Sequence, residues 1–330
     1  MKNEKDFLYV ISLIQRAKEK AFRTVNTELI DLYWNIGEYI SKKVQSMEWG
    51  QYIVKDLANF IADRHTDLKG YSDKNLWRMK QFYETYSGNQ KLSALLRELS
   101  WTNNLLILSK TKSFEEGEFY IRLCIKERYS SRELERQIDS CYFERAMISE
   151  KKISQLRQNR PELAEVFKDT YLFDFLNLPP NYSEKDLRLG LVQRFKEFIL
   201  EFGKDFTFVG QEYRLQIGKN DYFIDLLFYH RGLQCLVAFE LKIEEFKPEF
   251  LGKLNFYLEA LDRDIKKKHE NPSVGVILCK SKDDEVVEYA LSRNLSPTLV
   301  SEYKTKLIDK KTLKKKLHEL YLLSTKDEEH

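Results

Sequence analysis

The chain of 330 residues is 42% hydrophobic and carries a formal net charge of +3 at pH 7. Its length favours two domains, and 12 glycines with 6 prolines leave little room for long disordered linkers. Because we find no signal peptide and no apolar stretch long enough to span a bilayer, we expect a cytoplasmic protein without membrane contact. The net charge is only mildly basic, so it does not by itself favour or exclude a nucleic-acid partner, since local patches decide such binding.

The N-terminal half predicts a domain made almost entirely of helices. Apolar residues recur at helical spacing over residues 6 to about 43, which predicts one helix or two. Another helix begins near Gly50, and Ser72 is placed to cap a helix that ends at Tyr86. Three further helices are predicted over residues 101–109, 113–126 and 131–145.

The predicted helix from Ser72 to Tyr86 carries a candidate DNA-binding surface formed by Lys74, Arg78 and Lys80. A helix, a short loop and a second helix with exposed cations is the arrangement of a helix-turn-helix. The alternative is an ordinary solvated face, since basic residues on one helix usually just face water. Such cations would contact phosphates and would not read bases.

We place the domain boundaries from composition and proline spacing. A helical domain for DNA or partner binding is predicted over residues 1–150, followed by a connecting segment over residues 151–180. The Pro179-Pro180 pair marks the end of that segment, and a second domain occupies residues 181–330.

Two apolar runs in the second domain contain three charged residues. Residues 222–230 and 235–242 are rich in β-branched and aromatic residues, and a turn signal between them predicts a β-hairpin. Asp225 lies in the first run, and Glu240 with Lys242 lies in the second. Burying charges is unfavourable unless they are paired or bound to a metal, so we interpret the three residues as a functional site. The alternative is a core ion pair, either of Glu240 with Lys242 or of Asp225 with a neighbouring arginine.

These three residues have the chemistry needed to cut a phosphodiester bond. Asp225 and Glu240 offer oxygen ligands to a hard divalent cation, with the Leu241 carbonyl completing the protein's share. Mg²⁺ suits such a site, and Mn²⁺ is expected to substitute. The ion would neutralise charge on the phosphate and lower the pKa of a bound water. Lys242 would orient or deprotonate that water, or stabilise the transition state by its charge.

The elements around the hairpin follow a definite order. Helices are predicted over residues 186–202 and 248–262, and strands over residues 212–217 and 274–279. The order is therefore helix, three strands, helix, strand, which we write αβββαβ, around a mixed sheet. This order, with Asp225 followed by Glu240-Leu241-Lys242, resembles the PD-(D/E)xK nuclease superfamily, although Ile224 replaces the proline of the motif.

The resemblance narrows to the YhcG family of nucleases and covers nearly the whole chain. Segments that resemble this family in the second half are residues 205–215, 223–230, 251–258 and 270–278. In the first half they include residues 32–37 and 70–76. The resemblance implies an α+β protein with a winged-helix-like, mainly helical N-terminal domain and a restriction-endonuclease-like αβββαβ domain.

The resemblance also implies an activity and a set of contacts. We expect metal-dependent hydrolysis of DNA, in repair, recombination or defence against foreign DNA. Contacts to nucleic acid are assigned in the second domain to Gln211, Lys253, Asn255 and Tyr257. Lys253 stands where many members carry glutamine, which favours a phosphate contact over the positioning of water.

One departure from the superfamily concerns its first helix, which often donates a glutamate to the metal site. Arg188 stands at the aligned position, and the candidate substitutes are Glu184, Glu197 and Glu212. The number of metal ions, one or two, stays open. Two alternative functions also stay open: a DNA-binding or interaction module with weak catalysis, and an RNA-directed nuclease. A homodimer is expected because duplex cleavage needs two active sites.

Other motifs exclude several classes of chemistry. The four cysteines lack metal-ligand or CxxC spacing and are predicted to be reduced core thiols; they are Cys124, Cys141, Cys235 and Cys279. The five histidines show no ligand spacing, and we find no phosphate-binding glycine loop and no GxSxG motif. We therefore expect no nucleotide cofactor. The lysine-rich residues 304–316 are predicted to form a solvated helix, with a partner-binding helix as the alternative.

Overall fold

The computed structural model describes residues 4–47, 50–152 and 161–307, together with residues 309–313, 315 and 317. Their contacts divide the chain into two units, Met1–Ile138 and Asp139–His330. Among the residues described, no helix combines the length and the apolar character needed to cross a membrane.

Helices form the regular structure of the first unit. They are α1 (Glu4–Gln45), α2 (Gln51–Arg64), α3 (Asp73–Tyr86), α4 (Gln90–Leu96), α5 (Trp101–Lys110), α6 (Phe114–Glu127) and α7 (Ser131–Asp139). The first predicted helical stretch is one continuous helix. Ser72 caps α3 as predicted, because its hydroxyl oxygen accepts a hydrogen bond from the Asn75 backbone N–H. Helix α4 was not predicted from the sequence.

Helices α1 and α3 approach each other closely at Gly37. A Cβ atom at this position would lie 2.1 Å from the carbonyl oxygen of Met79, so only glycine fits without moving α3. Around this contact Tyr33, Ile40 and Leu76 are buried in one apolar cluster with Met79. The packing fixes which face of α3 is left for solvent.

The winged-helix expectation is corrected by the structure. A winged helix carries a β-hairpin beside its recognition helix, but the regular elements within residues 4–47 and 50–138 are all helices. Beyond α3 the chain continues as helices because Asn89 and Ser100 cap α4 and α5, each accepting a backbone hydrogen bond. The first unit is therefore a helical unit rather than a winged helix.

The second unit is built on a six-stranded mixed sheet in the order β1-β6-β5-β4-β3-β2. Its strands are β1 (Thr170–Leu172), β2 (Phe206–Ile217), β3 (Asn220–His230), β4 (Cys235–Leu241), β5 (Val274–Cys279) and β6 (Thr298–Lys304). Strands β2, β3 and β4 pair antiparallel, whereas β4, β5, β6 and β1 pair parallel.

The helices of this unit precede β1 or connect successive strands. They are α8 (Tyr142–Lys152), α9 (Pro161–Ala164), α10 (Glu184–Gln193), α11 (Phe195–Phe202), α12 (Glu249–Ala260) and α13 (Asp284–Leu291). A 3₁₀ turn (Asp174–Leu176) follows β1, and a π-helical turn (Leu261–Ile265) extends α12. The predicted hairpin and the αβββαβ order are confirmed by α11, β2, β3, β4, α12 and β5.

The structure differs from the predicted elements in several places. The predicted helix over residues 186–202 is two helices, because the backbone leaves the helical region at Arg194 with φ −101° and ψ 40°. Strand β2 begins at Phe206, six residues before the predicted start. Within the predicted connecting segment 151–180, α9 and β1 belong to the second unit, and Tyr171 is fully buried there. Residues 153–160 of that segment lie outside the described residues. Of the lysine-rich tract, residues 310–313 are helical.

Apolar clusters cover both faces of the sheet. On one face, Phe198 and Phe202 of α11 pack against Phe228 and Phe239. On the other face, Leu254 of α12 lies in a second cluster of side chains. A sheet covered on both sides accounts for the continuous apolar runs in β4 and β5. All four cysteines are buried thiols.

Candidate active site

The candidate site lies where β4 ends beside β3. Leu226 of β3 pairs with Phe239 of β4, so the preceding residue Asp225 lies next to Glu240 across the two strands. Helix α10 contributes Arg188 and Glu184 to the same place, as their hydrogen bonds to Asp225 and to Lys242 show. The structure therefore brings together the three charged residues predicted from the hairpin.

Both carboxylate oxygens of Asp225 have partners within the protein. Oδ1 accepts a hydrogen bond of 3.0 Å from Nη1 of Arg188, and Oδ2 accepts one of 2.9 Å from the Leu241 backbone N–H. A guanidinium and a backbone N–H thus both donate hydrogen bonds to the Asp225 carboxylate.

Glu240 is only 1% exposed and is incompletely paired. Its Oε1 accepts hydrogen bonds from Nζ of Lys253 at 2.6 Å and from Nζ of Lys242 at 3.1 Å. Its Oε2 is buried without a hydrogen-bond partner. Burial, and then the charge of Asp225, raise the pKa of Glu240 above its usual value. A buried carboxylate oxygen without a partner is costly, and it indicates a place where a ligand would bind.

Lys242 is held by two acids and an aromatic ring. Its Nζ lies 3.3 Å from both carboxylate oxygens of Glu184 and 5.4 Å from the ring centroid of Phe250. Together with the bond to Glu240, these contacts fix the ammonium group at the end of β4.

Lys253 reaches the same carboxylate from α12, where its Nζ lies 5.4 Å from the ring centroid of Tyr257. Burial alone would lower the pKa of Lys253, but the hydrogen bond to Glu240 raises it overall. Its side chain is 49% exposed, so the charge remains accessible to a phosphate from solvent.

Arg188 links a second acid to the site. Its Nη2 lies 2.7 Å from Oε1 of Glu212, and its Nε is buried without a hydrogen-bond partner. Glu212 has φ 46°, a left-handed backbone conformation that costs roughly 1–3 kcal/mol in a residue other than glycine. Of the three acids weighed as substitutes for a glutamate in the first helix, Glu184 and Glu212 contact cations of the site. The third, Glu197, lies 4.0 Å from Arg194.

The donor set fits a hard divalent cation in part. Two adjacent carboxylates, one with an unpartnered buried oxygen, are suitable oxygen ligands. Within the described part of the chain, no three His, Cys, Asp or Glu side chains are grouped to hold a metal ion. Further ligands would therefore come from the backbone, water or a phosphate.

The other predicted contact residues fall in different environments. Gln211 is exposed on β2, and Tyr257 is buried beneath Lys253. Asn255 donates a hydrogen bond of 2.8 Å to Asn294, so the structure does not bring it to the cluster of charges.

In the first unit, the three predicted cations of α3 differ in their surroundings. Lys74 is exposed and Arg78 is half-buried. Nζ of Lys80 lies 2.7 Å from Oε2 of Glu84 and 5.6 Å from the ring centroid of Trp77. Lys80 is thus already engaged within its own helix.

The sequence reasoning considered an ion pair between Asp225 and a neighbouring arginine, but it did not identify Arg188 as that arginine and treated this residue only as a departure from the superfamily. The available signal was its position between Leu187 and Leu191, both buried on the same helix. An arginine on such a face needs a carboxylate partner.

A mixed sheet that carries an aspartate on one strand and a Glu-x-Lys motif at the end of the next defines a nuclease of the PD-(D/E)xK class. Residues 164–318 match the family model described as YhcG PDDEXK nuclease domain, and residues 9–145 match the DUF1016 N-terminal domain. The Escherichia coli (strain K12) protein named "Putative nuclease YhcG" is 32% identical over 342 residues, which cover 92% of this chain and 90% of that protein. The chain therefore belongs to the YhcG family of PDDEXK nucleases.

A solved structure is also similar in part. A repair endonuclease from Pyrococcus abyssi aligns over 39% of this chain and 49% of its own, with a TM-score of 0.26 and 13% identity. A score this low carries no argument about substrate or activity.

Proposed function

We propose that the chain is a divalent-metal-dependent nuclease that hydrolyses phosphodiester bonds of DNA. The observation that carries the proposal is the pair Asp225 and Glu240, because Oε2 of Glu240 is buried without a partner while Lys242 lies 3.1 Å from Oε1. Membership of a nuclease family supports the reaction class. The requirement for a divalent metal and the choice of DNA as substrate go beyond family membership and are part of our proposal.

Asp225 and Glu240 would hold the ion, with the Leu241 carbonyl as a third ligand. Hard oxygen donors favour Mg²⁺, with Mn²⁺ as a substitute. When bound, the metal would supply positive charge against the phosphate and lower the pKa of a water molecule.

The lysines of the site have separate tasks in this proposal. Lys242, fixed as an ammonium group by Glu240 and Glu184, would orient the attacking water and stabilise the charge that builds on the phosphate oxygens. Lys253, half exposed, would contact a phosphate oxygen of the substrate.

For the first unit we propose nucleic-acid binding through α3. Lys74 is exposed and would contact phosphates. We also propose a homodimer. In its support, α1 exposes the apolar side chains of Phe7, Tyr9 and Ile14. Exposed apolar patches of this kind are candidate surfaces for self-association.

A second candidate function is a binding module with weak catalysis. It is favoured by the guanidinium of Arg188, which already occupies one oxygen of Asp225. A protein of this kind would bind nucleic acid with a metal-independent affinity and cleave it slowly or not at all.

The deciding experiment incubates the purified protein with DNA and RNA in Mg²⁺, in Mn²⁺ and in excess chelator. We expect metal-dependent cleavage of DNA that Asp225→Ala and Glu240→Ala each abolish, because each removes an oxygen ligand. Cleavage that persists in chelator or in either variant would contradict the mechanism. Cleavage of RNA alone would show that the substrate is RNA instead of DNA. Tight binding without cleavage would support the second candidate function, a binding module with weak catalysis.

A further inference from the structure

Strands β2 and β3 continue past the end of β4 as a two-stranded ribbon. β3 pairs with β4 only from Leu226 to His230, whereas it pairs with β2 as far as Asn220. The segment formed by residues 211–217 and 220–225, here called the ribbon, therefore has no third strand beside β3. Its base is at Asp225, so the ribbon begins at the proposed site.

The two faces of the ribbon have different surroundings. On one face Leu215 and Ile224 are buried, and the Tyr222 ring lies 4.9 Å from that of Phe256 on α12. On the other face Arg214 and Phe223 are exposed. Packing against α12 thus holds the ribbon in place and leaves its second face open.

The open face presents an aromatic ring beside a guanidinium. Arg214 and Phe223 are direct partners across the two strands, with 58% of the Arg214 side chain and 49% of Phe223 exposed. Nη2 of Arg214 lies 2.9 Å from Oδ1 of Asp221, which orients the guanidinium on this face. Directly opposed side chains lie about 5 Å apart, so the ring and the guanidinium form one surface.

This surface lies close to the reacting position. Phe223 and Asp225 are two residues apart on β3. Two strand residues span about 7 Å, or roughly two stacked bases at about 3.4 Å each. A nucleotide next to the scissile phosphate would therefore meet Phe223.

We infer that Phe223, with Arg214 beside it, stacks an unpaired nucleobase adjacent to the scissile bond. Aromatic rings and arginine planes are the groups on which unstacked bases bind. Bases inside an intact duplex already stack on each other, so the preferred substrate has single-stranded nucleotides at the cut, as in a free strand, a flap or a branch. The inference rests on the proposed nuclease function and specifies its substrate.

The test measures binding and stacking separately from cleavage, in excess chelator with the full-length protein. The probes are a single-stranded DNA, a single-stranded RNA and a blunt DNA duplex, each carrying the fluorescent base 2-aminopurine. Phe223→Ala should weaken single-strand affinity by about tenfold and abolish quenching of the base, while duplex affinity stays unchanged. Phe223→Tyr should keep both signals because the ring remains.

The matched control is Tyr289→Ala, which removes an exposed aromatic ring from α13. It should change neither affinity nor quenching. Because Phe223 is exposed, Phe223→Ala should keep the melting temperature of the wild type, so lost binding cannot be assigned to unfolding.

Unchanged single-strand affinity and quenching in Phe223→Ala would overturn the inference, and so would equal losses for single strands and duplex. The results that would contradict the nuclease proposal differ from those that would contradict the stacking inference. If the wild type cleaves and Asp225→Ala does not, while Phe223→Ala behaves as wild type in binding, only the stacking inference is wrong. If no substrate is cleaved but Phe223 governs quenching, only the nuclease proposal is wrong.

Discussion

Arg188 donates a hydrogen bond of 3.0 Å from Nη1 to Oδ1 of Asp225, so the aspartate of the motif has a counter-charge within the protein. Both oxygens of Asp225 have partners, whereas Glu240 accepts hydrogen bonds from Lys253 and Lys242 at Oε1 only, and its buried Oε2 has no partner.

Asp225→Asn should lower the stability of the metal-free protein by roughly 1–3 kcal/mol, because Arg188 loses a charged acceptor in a mostly buried place. Mg²⁺ should raise the melting temperature of the wild type by binding only the folded state, and the substitution should reduce that shift. Thermal unfolding with and without the ion measures both effects. Asp221→Asn, which breaks an exposed ion pair with Arg214, is the control and should leave the shift intact. Greater metal-free stability after Asp225→Asn would mean that carboxylate repulsion dominates.

Glu240 should make the metal-free protein less stable as pH rises. The pKa of Glu240 is raised in the folded state, first by burial and then by Asp225, so the folded protein holds this proton more tightly than the unfolded chain. Its contribution therefore decreases as pH rises above the ordinary value of 4.5 and through the raised pKa. Urea unfolding in chelator across this window should show the decline in the wild type and a flatter profile in Glu240→Gln. A steeper decline in the variant would contradict the assignment.

Lys242→Met should lower the cleavage rate by about 100-fold or more, since its charge acts on the attacking water or the transition state. The metal-induced rise in melting temperature and the affinity for DNA should stay within about twofold of the wild type. Single-turnover cleavage and equilibrium binding separate the two effects. Lys247→Met removes an exposed lysine that pairs with Glu244 nearby, and it should cleave normally. Equal losses of binding and rate would assign Lys242 to substrate binding.

Glu201→Gln should destabilise the protein by roughly 3–5 kcal/mol, because it leaves buried cations without their acid. Glu201 lies 2.7 Å from Nη1 of Arg145 and 3.5 Å from Nζ of Lys168, and its side chain is 2% exposed. Burial alone would raise the pKa of Glu201, but Arg145 and Lys168 lower it overall. The stabilisation is therefore present above the ordinary carboxyl pKa and is lost as pH falls through the lowered one. Chemical denaturation measures the change.

The control for that substitution is Glu197→Gln on the same helix, where the carboxylate lies 4.0 Å from Arg194 and is partly exposed. It should change stability by no more than about 0.5 kcal/mol. A small effect of Glu201→Gln, similar to that of the control, would show that the buried network contributes little net stability.

Lys74→Ala and Arg78→Ala should each weaken DNA binding almost equally for all sequences and reduce the slope of log affinity against log salt by about one unit. Lys80→Ala should have a smaller effect, because its Nζ already lies 2.7 Å from Glu84. Salt titrations of the full-length protein give these slopes, with Lys91→Ala on α4 as the control. An unchanged slope in the combined variant would reject α3 as the contact surface.

The sequence by itself determined the features that depend on neighbouring residues. β-Branched and aromatic composition with a turn signal identified β3 and β4, the spacing of apolar residues identified α12, and a single serine predicted the start of α3. The acidic and basic residues of the motif were also identified from the sequence, because charged residues inside apolar runs stand out without a structure.

Only the tertiary structure decided how those charges are paired. Arg188 and Asp225 are 37 residues apart, Lys242 and Glu184 are 58 apart, and Lys253 meets Glu240 from a different element. Local periodicity carries no information about which distant groups meet, since that depends on helix packing against the sheet. The left-handed backbone at Glu212 was likewise not predictable from local sequence, because a strained conformation persists only where surrounding contacts hold it.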